Sequence, residues 1–415
     1  MATFVSSNNP WSTSLNKDRA DIFLGGDFAD FWNIIYKTLQ DKIRPLFTKQ
    51  RNPNITNEGR RDFHPVPLHR FDGSTLDDAA KPWKNTDIYA TSALSWIVSL
   101  YKPTDKIHLE HHFPLLVPAI LALIDDSSIS FKVKGCELLG QLLKTIQESG
   151  SDILIRTNLI PVFEQAITPC LLSLPTITPE DKSLKMLSAA YPVLLALFKA
   201  ANNPSKASQQ QIEKGKETYN SNLARILRSN LITSFHHISS STLGSESSAS
   251  FPHPKLSEFL MNEIAVFVKG LGIETTKYLQ DIIPLLNVTL ANPFGSVYPP
   301  LLLAAIWTTR AVILNAHPRI WKWRGEILSG LCACWLHVTT EIKAGTGQGD
   351  SVKQLTILTK ELQGVVSVLK FTLQFPVSPE ETDRAHAKQN MQAELQELVD
   401  ADSELATLLR ADTKS

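Results

Sequence analysis

"LALIDDSSISFKVKGCELLGQLL", residues Leu121–Leu143, decides the fold. From Val133 onward the apolar residues Val133, Cys136, Leu139, Leu142, Leu143 and Ile146 recur at the spacing of an amphipathic helix. Glu137, Gln141, Lys144 and Glu148 fall on the other side. The apolar run ending at Ile124 reads as a second helix, and "DDSSIS" between them as a turn. The adjacent carboxylates Asp125 and Asp126 admit two readings. An Asp at a helix start accepts backbone N–H bonds and suits the positive end of the helix dipole. A metal site would need further oxygen or nitrogen ligands, and the neighbouring Ser127 and Ser128 are poor ones. The structural reading requires nothing that is absent from the stretch.

Working outward, the same plan recurs. Leu116-Val117-Pro118, Leu159-Ile160-Pro161 and Ile282-Ile283-Pro284 share an apolar–Pro signature. The first two prolines lie 43 residues apart and the second and third 123 apart, about three periods of 41. A period near 40 suits paired-helix repeats of the HEAT type. Helix pairs are expected at 113–124 with 131–148, at 152–173 with 181–200, and at 274–291 with 301–315. A last pair is expected in "HPRIWKWRGEILSGLCACWLHVTTEI" and "SVKQLTILTKELQGVVSVLKFTLQ". No stretch alternates strictly, so no sheet is expected. The fold class is therefore all-α, a HEAT-like or armadillo-type helical-repeat solenoid. In repeats of this kind the turn Asp pairs with basic residues on the second helix, which here are Lys132 and Lys134.

The expected organisation has five parts. Residues 1–110 hold N-terminal helices and a long irregular loop at 51–87, whose Phe63, Phe71 and Trp83 indicate that it packs. Residues 111–238 form a first group of repeats. A Ser-rich flexible loop follows at 239–254, then C-terminal repeats at 255–375. A charged helical tail, 376–415, carries leucines at 395, 398, 405, 408 and 409, a thin stripe fit to cap the stack or to bind a partner helix.

Composition excludes several classes. Lys+Arg and Asp+Glu both total 41, so no basic excess points to nucleic acid. Cys136, Cys170, Cys332 and Cys334 are too few and scattered for a disulfide framework, and they read as small buried hydrophobes in a reducing compartment. The N-terminus lacks the apolar core of a signal peptide. No uncharged apolar run reaches the roughly 18 residues of a membrane span, and "YPPLLLAAIWTTRAVILNA" carries Arg310 near its middle. A cytoplasmic protein is expected, with nuclear residence also compatible.

Three stretches imitate chemical motifs. In "HLEHHF", 108–113, His108 and His112 share a helix face, but no third ligand lies near. "GTGQGD", 345–350, follows a helix and lacks the Gly-Lys-Ser/Thr ending of a phosphate loop. No nucleophile elbow occurs, so neither catalytic residues nor a cofactor or metal is expected. "HPRIWKWRGEIL", 317–328, places Arg319, Lys322 and Arg324 beside Trp321 and Trp323. The two tryptophans would lie about 200° apart on an α-helix, one inward and one nearer the surface. Trp and Arg are favoured interface anchors, and also common core and snorkelling residues. Arg319, Trp321, Lys322, Trp323 and Arg324 are the candidate partner-binding residues.

The stretch "FPLLVPAILALIDDSSISFKVKGCELLGQLL" resembles the most recognisable block of the Tti-two proteins, the Tel-two-interacting subunits of the TTT co-chaperone complex. The matching positions are Ile124, Asp125, Asp126, Lys134, Gly135, Glu137, Leu138 and Leu139. "KYLQDIIPLLNVTLANPF" and "HPRIWKWRGEILSGLCACW" are similar as well, and the likeness spans roughly residues 20–375. The resemblance implies a helical-repeat scaffold without an active site. It implies binding to a Tti-one-like subunit and through it to a Tel-two-like subunit. With the heat-shock-ninety chaperone and its adaptors, such an assembly supports maturation of phosphatidylinositol 3-kinase-related kinases. The alternative is another helical-repeat role, a nuclear-transport adaptor or a phosphatase scaffold.

Overall fold

The computed structural model describes residues 12–24, 30–48, 52–56, 58–65, 81–202, 209–240, 251–344, 349–374 and 381–409. Phe71, most of the Ser-rich stretch (241–250) and residues 345–348 of the glycine-rich loop lie outside them. Among the described residues every named element is helical, and the one β-type pairing is the isolated bridge Ile55–Arg61. The chain forms two compact units: residues 1–173 with 181–219, and residues 174–180 with 220–415. This division falls inside the helix Gln209–Ile226, not at the Ser-rich stretch. The helix Pro254–Leu271, which follows that stretch, packs on Thr233–Ser240, which precedes it, so the chain stays within one core.

The centre of the first unit is Lys106–Ile124, apolar nearly all round, with Leu109, Phe113, Leu116, Val117, Ile120 and Leu123 buried. A helix with apolar residues on every side needs cover on every side. Ile129–Glu148 supplies one wall, and the rod made of Phe31–Thr38, a π turn Leu39–Ile43 and Arg44–Thr48 supplies another. That rod buries Ile35, Leu39, Ile43 and Phe47, a row at every fourth residue. In a straight α-helix such a row drifts by about 40° per step. The wider π turn keeps the row on one face.

Helix boundaries differ from expectation where caps outrank apolar pattern. The first helix begins at Lys106, well before 113, because the Asp105 carboxylate accepts the Lys102 N–H at 2.9 Å across a 3-10 turn. Pro114 and Pro118 therefore lie inside it, whereas Pro161 stands at the start of Ile160–Ile167 and Pro284 inside Leu279–Leu290. The three apolar–Pro signatures do not occupy equivalent positions. The expected helix 152–173 is broken into Ile153–Thr157, Ile160–Ile167 and a 3-10 turn Thr168–Leu172. Asn158, at φ 53°, ends the first piece in the left-handed region, and Pro161 and Pro169 lack the N–H groups that would continue it.

Gly135 marks the closest approach of the central pair. A Cβ there would stand 2.8 Å from both the backbone N and Cγ1 of Ile124 and 3.0 Å from Leu123 Cβ. Gly→Ala in a helix interior ordinarily gains up to about 1 kcal/mol. Gly135→Ala is expected to lose about 2 kcal/mol instead, because backbone must move. Gly364→Ala, where nothing lies within 4 Å, should show the ordinary gain. Urea midpoints of the two variants check the opposite signs.

The second unit has two helical layers. Pro254–Leu271, Pro299–Asn315 and Gly349–Gln374 lie side by side in one. The π turn Leu227–Ile232, Leu279–Leu290 and Arg324–Ala344 make the other. Pro299–Asn315 passes into His317–Ala344 through a bend of 101° at Ala316, so the helix built from "YPPLLLAAIWTTRAVILNA" stops at 17 residues. Two other helices, Pro103–Ile124 and Glu180–Ala201, are long and apolar enough to cross a membrane, but 67% and 56% of their apolar 18-residue stretches are buried inside the protein. The tail, Glu381–Ala401 to Ala406–Leu409, folds back on the second unit and buries Leu395, Leu405, Leu408 and Leu409. Trp335 Nε1 donates to the Glu404 carbonyl at 3.1 Å and Lys370 Nζ to that of Leu409 at 3.0 Å. All four cysteines are buried and free.

Candidate partner-binding surface

The Asp125–Asp126 turn is built from three parts of the chain. Asp126 is buried, and its Oδ1 accepts the Ser128 N–H at 2.7 Å, closing the turn that opens Ile129–Glu148. Its counter-charges are not Lys132 and Lys134. They are Lys81, 2.9 Å from Oδ2, and Lys84, 3.0 Å from Oδ1. Lys81 immediately precedes the short helix Pro82–Asn85 of the N-terminal loop and Lys84 lies on it, with Trp83 between them. Lys134 pairs with Glu137 at 3.8 Å along its own helix, and Lys132 acts on Asp125 through its charge. Helix geometry explains the correction: Lys132 and Lys134 rise away from the turn along their own helix, whereas Lys81 and Lys84 arrive across it. Burial pushes the Asp126 carboxyl up, but the Ser128 N–H and the two ammoniums outweigh it, and the group stays below its ordinary range. Asp125 is exposed and accepts Asn52 Nδ2 at 2.8 Å, which straps the same loop over the helix pair. The two carboxylates are thus engaged by lysines, an amide and a backbone N–H.

The "HLEHHF" histidines are engaged by aromatic rings. His108 stacks on Trp32 with centroids 4.8 Å apart, and His111 on Tyr36 at 4.7 Å. His112 is buried with Nδ1 2.8 Å from the Tyr101 hydroxyl. Among the described residues no group of three His, Cys, Asp or Glu side chains is placed to hold a metal. Burial, then the charges of His111 and His108, lower the His112 imidazole to about 4. The fold therefore favours neutral His112. Its contribution is complete above the unfolded value of about 6.5 and is lost as pH falls toward 4. The wild type should lose about 2 kcal/mol between pH 7.5 and 5 that His112→Gln retains, read from urea midpoints at both pH values.

The tryptophan turn also departs from expectation. His317–Ile320 ends in a 3-10 turn Trp321–Trp323 before Arg324–Ala344 begins. At three residues per turn the α-helical angle between the tryptophans does not apply. Both rings are half-buried, Ile320 takes the inward position, and Arg319 and Lys322 are exposed. Arg324 is engaged within the chain. Its guanidinium lies 4.1 Å over the Trp321 ring and grips Glu394 of the tail in a fork, Nε to Oε2 at 2.8 Å and Nη2 to Oε1 at 2.5 Å. The pair is partly solvated, so Arg324→Ala should cost only about 1 kcal/mol. Its readout is local: amide exchange across residues 391–401 should quicken about fivefold while Lys106–Ile124 is unchanged.

The sequence profile of the Tti2 family matches residues 1–297, more than two-thirds of the 415-residue chain. The chain belongs to the Tti2 family. The matched part holds the Asp126 cluster, the Gly135 contact and the histidine stack of this Tti2-family protein, and ends before the tryptophan turn and the tail. No solved structure matches it. Sequence reasoning missed Asn52, Lys81, Lys84 and Glu394. The one local signal was Lys-Pro-Trp-Lys at 81–84, two cations around an aromatic in a stretch otherwise read as loop.

Proposed function

We propose that this Tti2-family protein is a non-catalytic binding subunit of a TTT-type co-chaperone assembly. It is held by a Tti-one-like helical-repeat subunit, and through it by a Tel-two-like subunit. The assembly supports the maturation of phosphatidylinositol 3-kinase-related kinases with the heat-shock-ninety chaperone, in the cytoplasm and the nucleus. The observation that carries this reading is the family match across residues 1–297. It is supported by the way the most distinctive residues of that region are engaged: Asp126 with lysines and the turn, the histidines with aromatic rings. The layered pairs of the second unit support a HEAT-like arrangement, whose stacked helices leave long surfaces for a partner chain. On the C-terminal surface the exposed Arg319 and Lys322 and the half-buried Trp323 remain as anchors.

Titration of the purified chain with a recombinant Tti-one-like subunit tests this. A one-to-one complex is expected. Replacing Arg319, Lys322 and Trp323 together by Ala should weaken it at least tenfold with the urea midpoint held. Unchanged binding would remove that surface from the account, and no complex at all would remove the reading.

A further inference from the structure

Pro254–Leu271, Pro299–Asn315 and Gly349–Gln374 lie side by side, and the face they turn to solvent carries an apolar row. On Pro299–Asn315 the open positions are Leu303, Trp307, Arg310 and Leu314. They recur at i, i+4, i+7 and i+11, one stripe about 16 Å long, or three helical turns. Trp307 and Leu314 are 47% and 54% exposed, and Ile357 of the next helix 50%. Single exposed apolar residues are ordinary, whereas a contiguous row marks a contact surface. Contiguity comes from Trp307, whose Nε1 donates to Glu361 Oε2 at 3.3 Å and so lays the indole toward Gly349–Gln374, one turn from Ile357. One turn the other way stands Gly364, where a Cβ would meet nothing within 4 Å. A glycine inside a helix costs about 1 kcal/mol against Ala. Gly135 repays that cost by letting a neighbouring helix pass, with a Cβ position 2.8 Å from its backbone. Gly364 offers the same close approach with nothing of this chain in it.

The charge around the row is one-sided. Lys255, Lys269, Arg310 and Lys360 are exposed, and among the described residues no ion pair engages them. The described carboxylates of the three helices are otherwise occupied. Glu361 takes the Trp307 N–H, Glu258 takes the Tyr298 hydroxyl at 2.6 Å, and burial pushes Glu263 up to about 7. The chain as a whole carries no net charge, so the excess is local to this face.

We propose that this face binds an acidic amphipathic helix of a partner subunit. The helix lays about three turns of apolar side chains along Leu303, Trp307, Leu314 and Ile357 and passes closest at Gly364. Its carboxylates turn to Arg310 and Lys360, with Lys255 and Lys269 on the adjoining helix adding to the attraction. Two helices side by side leave a groove that takes the side-chain ridges of a third. A membrane surface would also take cations beside apolar residues, but it would need the indole standing outward, and Trp307 is held down on Glu361. The inference rests on the proposed function for the partner's being a protein subunit, and it adds the chemistry of the segment that docks.

The probe is a fluorescein-labelled helical peptide of about 18 residues, with leucines at i, i+4, i+7 and i+11 and glutamates on both flanks, titrated against the full chain by anisotropy. It should bind at least tenfold more tightly than the same peptide with lysine for glutamate. Arg310→Glu/Lys360→Glu should weaken binding at least tenfold, and Leu314→Ala/Ile357→Ala several-fold. Gly364→Gln should also weaken it several-fold, with the urea midpoint held or raised, because the side chain fills the groove without touching the core. Lys182→Glu/Lys185→Glu, an equal charge change on exposed lysines of the first unit, should leave it unaltered. Absence of binding, equal weakening by the distant pair, or insensitivity to Gly364→Gln would overturn the inference. So would attachment of the chain to vesicles of phosphatidylserine and phosphatidylcholine that the same substitutions abolish, which would assign the face to a membrane. Peptide binding without capture of a Tti-one-like subunit would leave the face standing and remove the proposed function. Capture of that subunit without peptide binding would do the reverse.

Discussion

Asp126→Ala is expected to destabilise the first unit by about 3–5 kcal/mol, the range for removing one partner of a buried ion pair. The Lys81 ammonium, whose side chain is 2% exposed, would be left buried without its counter-charge, and the Ser128 N–H would lose its acceptor. Asp126→Asn keeps an acceptor for Ser128 and should cost less. Lys81→Met in the Asp126→Asn background should recover part of the loss, since the buried charge is gone. Urea midpoints of the four proteins give the coupling directly. The same series separates structure from chemistry. If Asp126 held a metal or moved protons, Asp126→Asn would abolish function in a protein that still folds. Here function should fail only to the extent that folding does. Because the folded carboxyl lies below its ordinary value, its contribution is present above about pH 4 and vanishes as the pH falls through the lowered value.

Trp83→Ala is expected to cost a similar amount, about 3–5 kcal/mol, through loss of buried area and a cavity. The ring is fully buried and stacks on Phe47 with centroids 4.4 Å apart at 19°. It sits between the two lysines of the Asp126 cluster, so it also fixes where their ammoniums arrive. Trp83→Phe should keep most of the packing. Combined with Asp126→Ala, Trp83→Ala should cost clearly less than the sum, because either change alone loosens the Pro82–Asn85 turn from the helix pair. Additive midpoints would mean that ring and ion cluster are independent.

Local patterns were legible in the sequence where one helix carries them alone. Cys136, Leu139, Leu142, Leu143 and Ile146 are buried and Glu137, Gln141, Lys144 and Glu148 exposed, as their spacing requires. What spacing does not convey is which distant segment arrives. Lys81 reaches Asp126 from 45 residues away, and Arg324 reaches Glu394 across 70. The nearby cations Lys132 and Lys134 looked sufficient because sequence distance stood in for spatial distance. The prolines misled for a different reason. The same apolar–Pro tripeptide fits both the first turn of a helix and a helix interior, and the caps at Asp105 and Asn158 decided between them. The tryptophan turn was misjudged because a 3-10 turn is set by the sharp bend after Asn315, a tertiary feature.

The account is tested most directly by purifying the tagged full-length chain from its own cells and quantifying what comes with it. Stoichiometric Tti-one-like and Tel-two-like subunits, with smaller amounts of phosphatidylinositol 3-kinase-related kinases, are predicted. Recovery of the chain alone, or in stoichiometric amounts with transport receptors or phosphatase subunits, would contradict it.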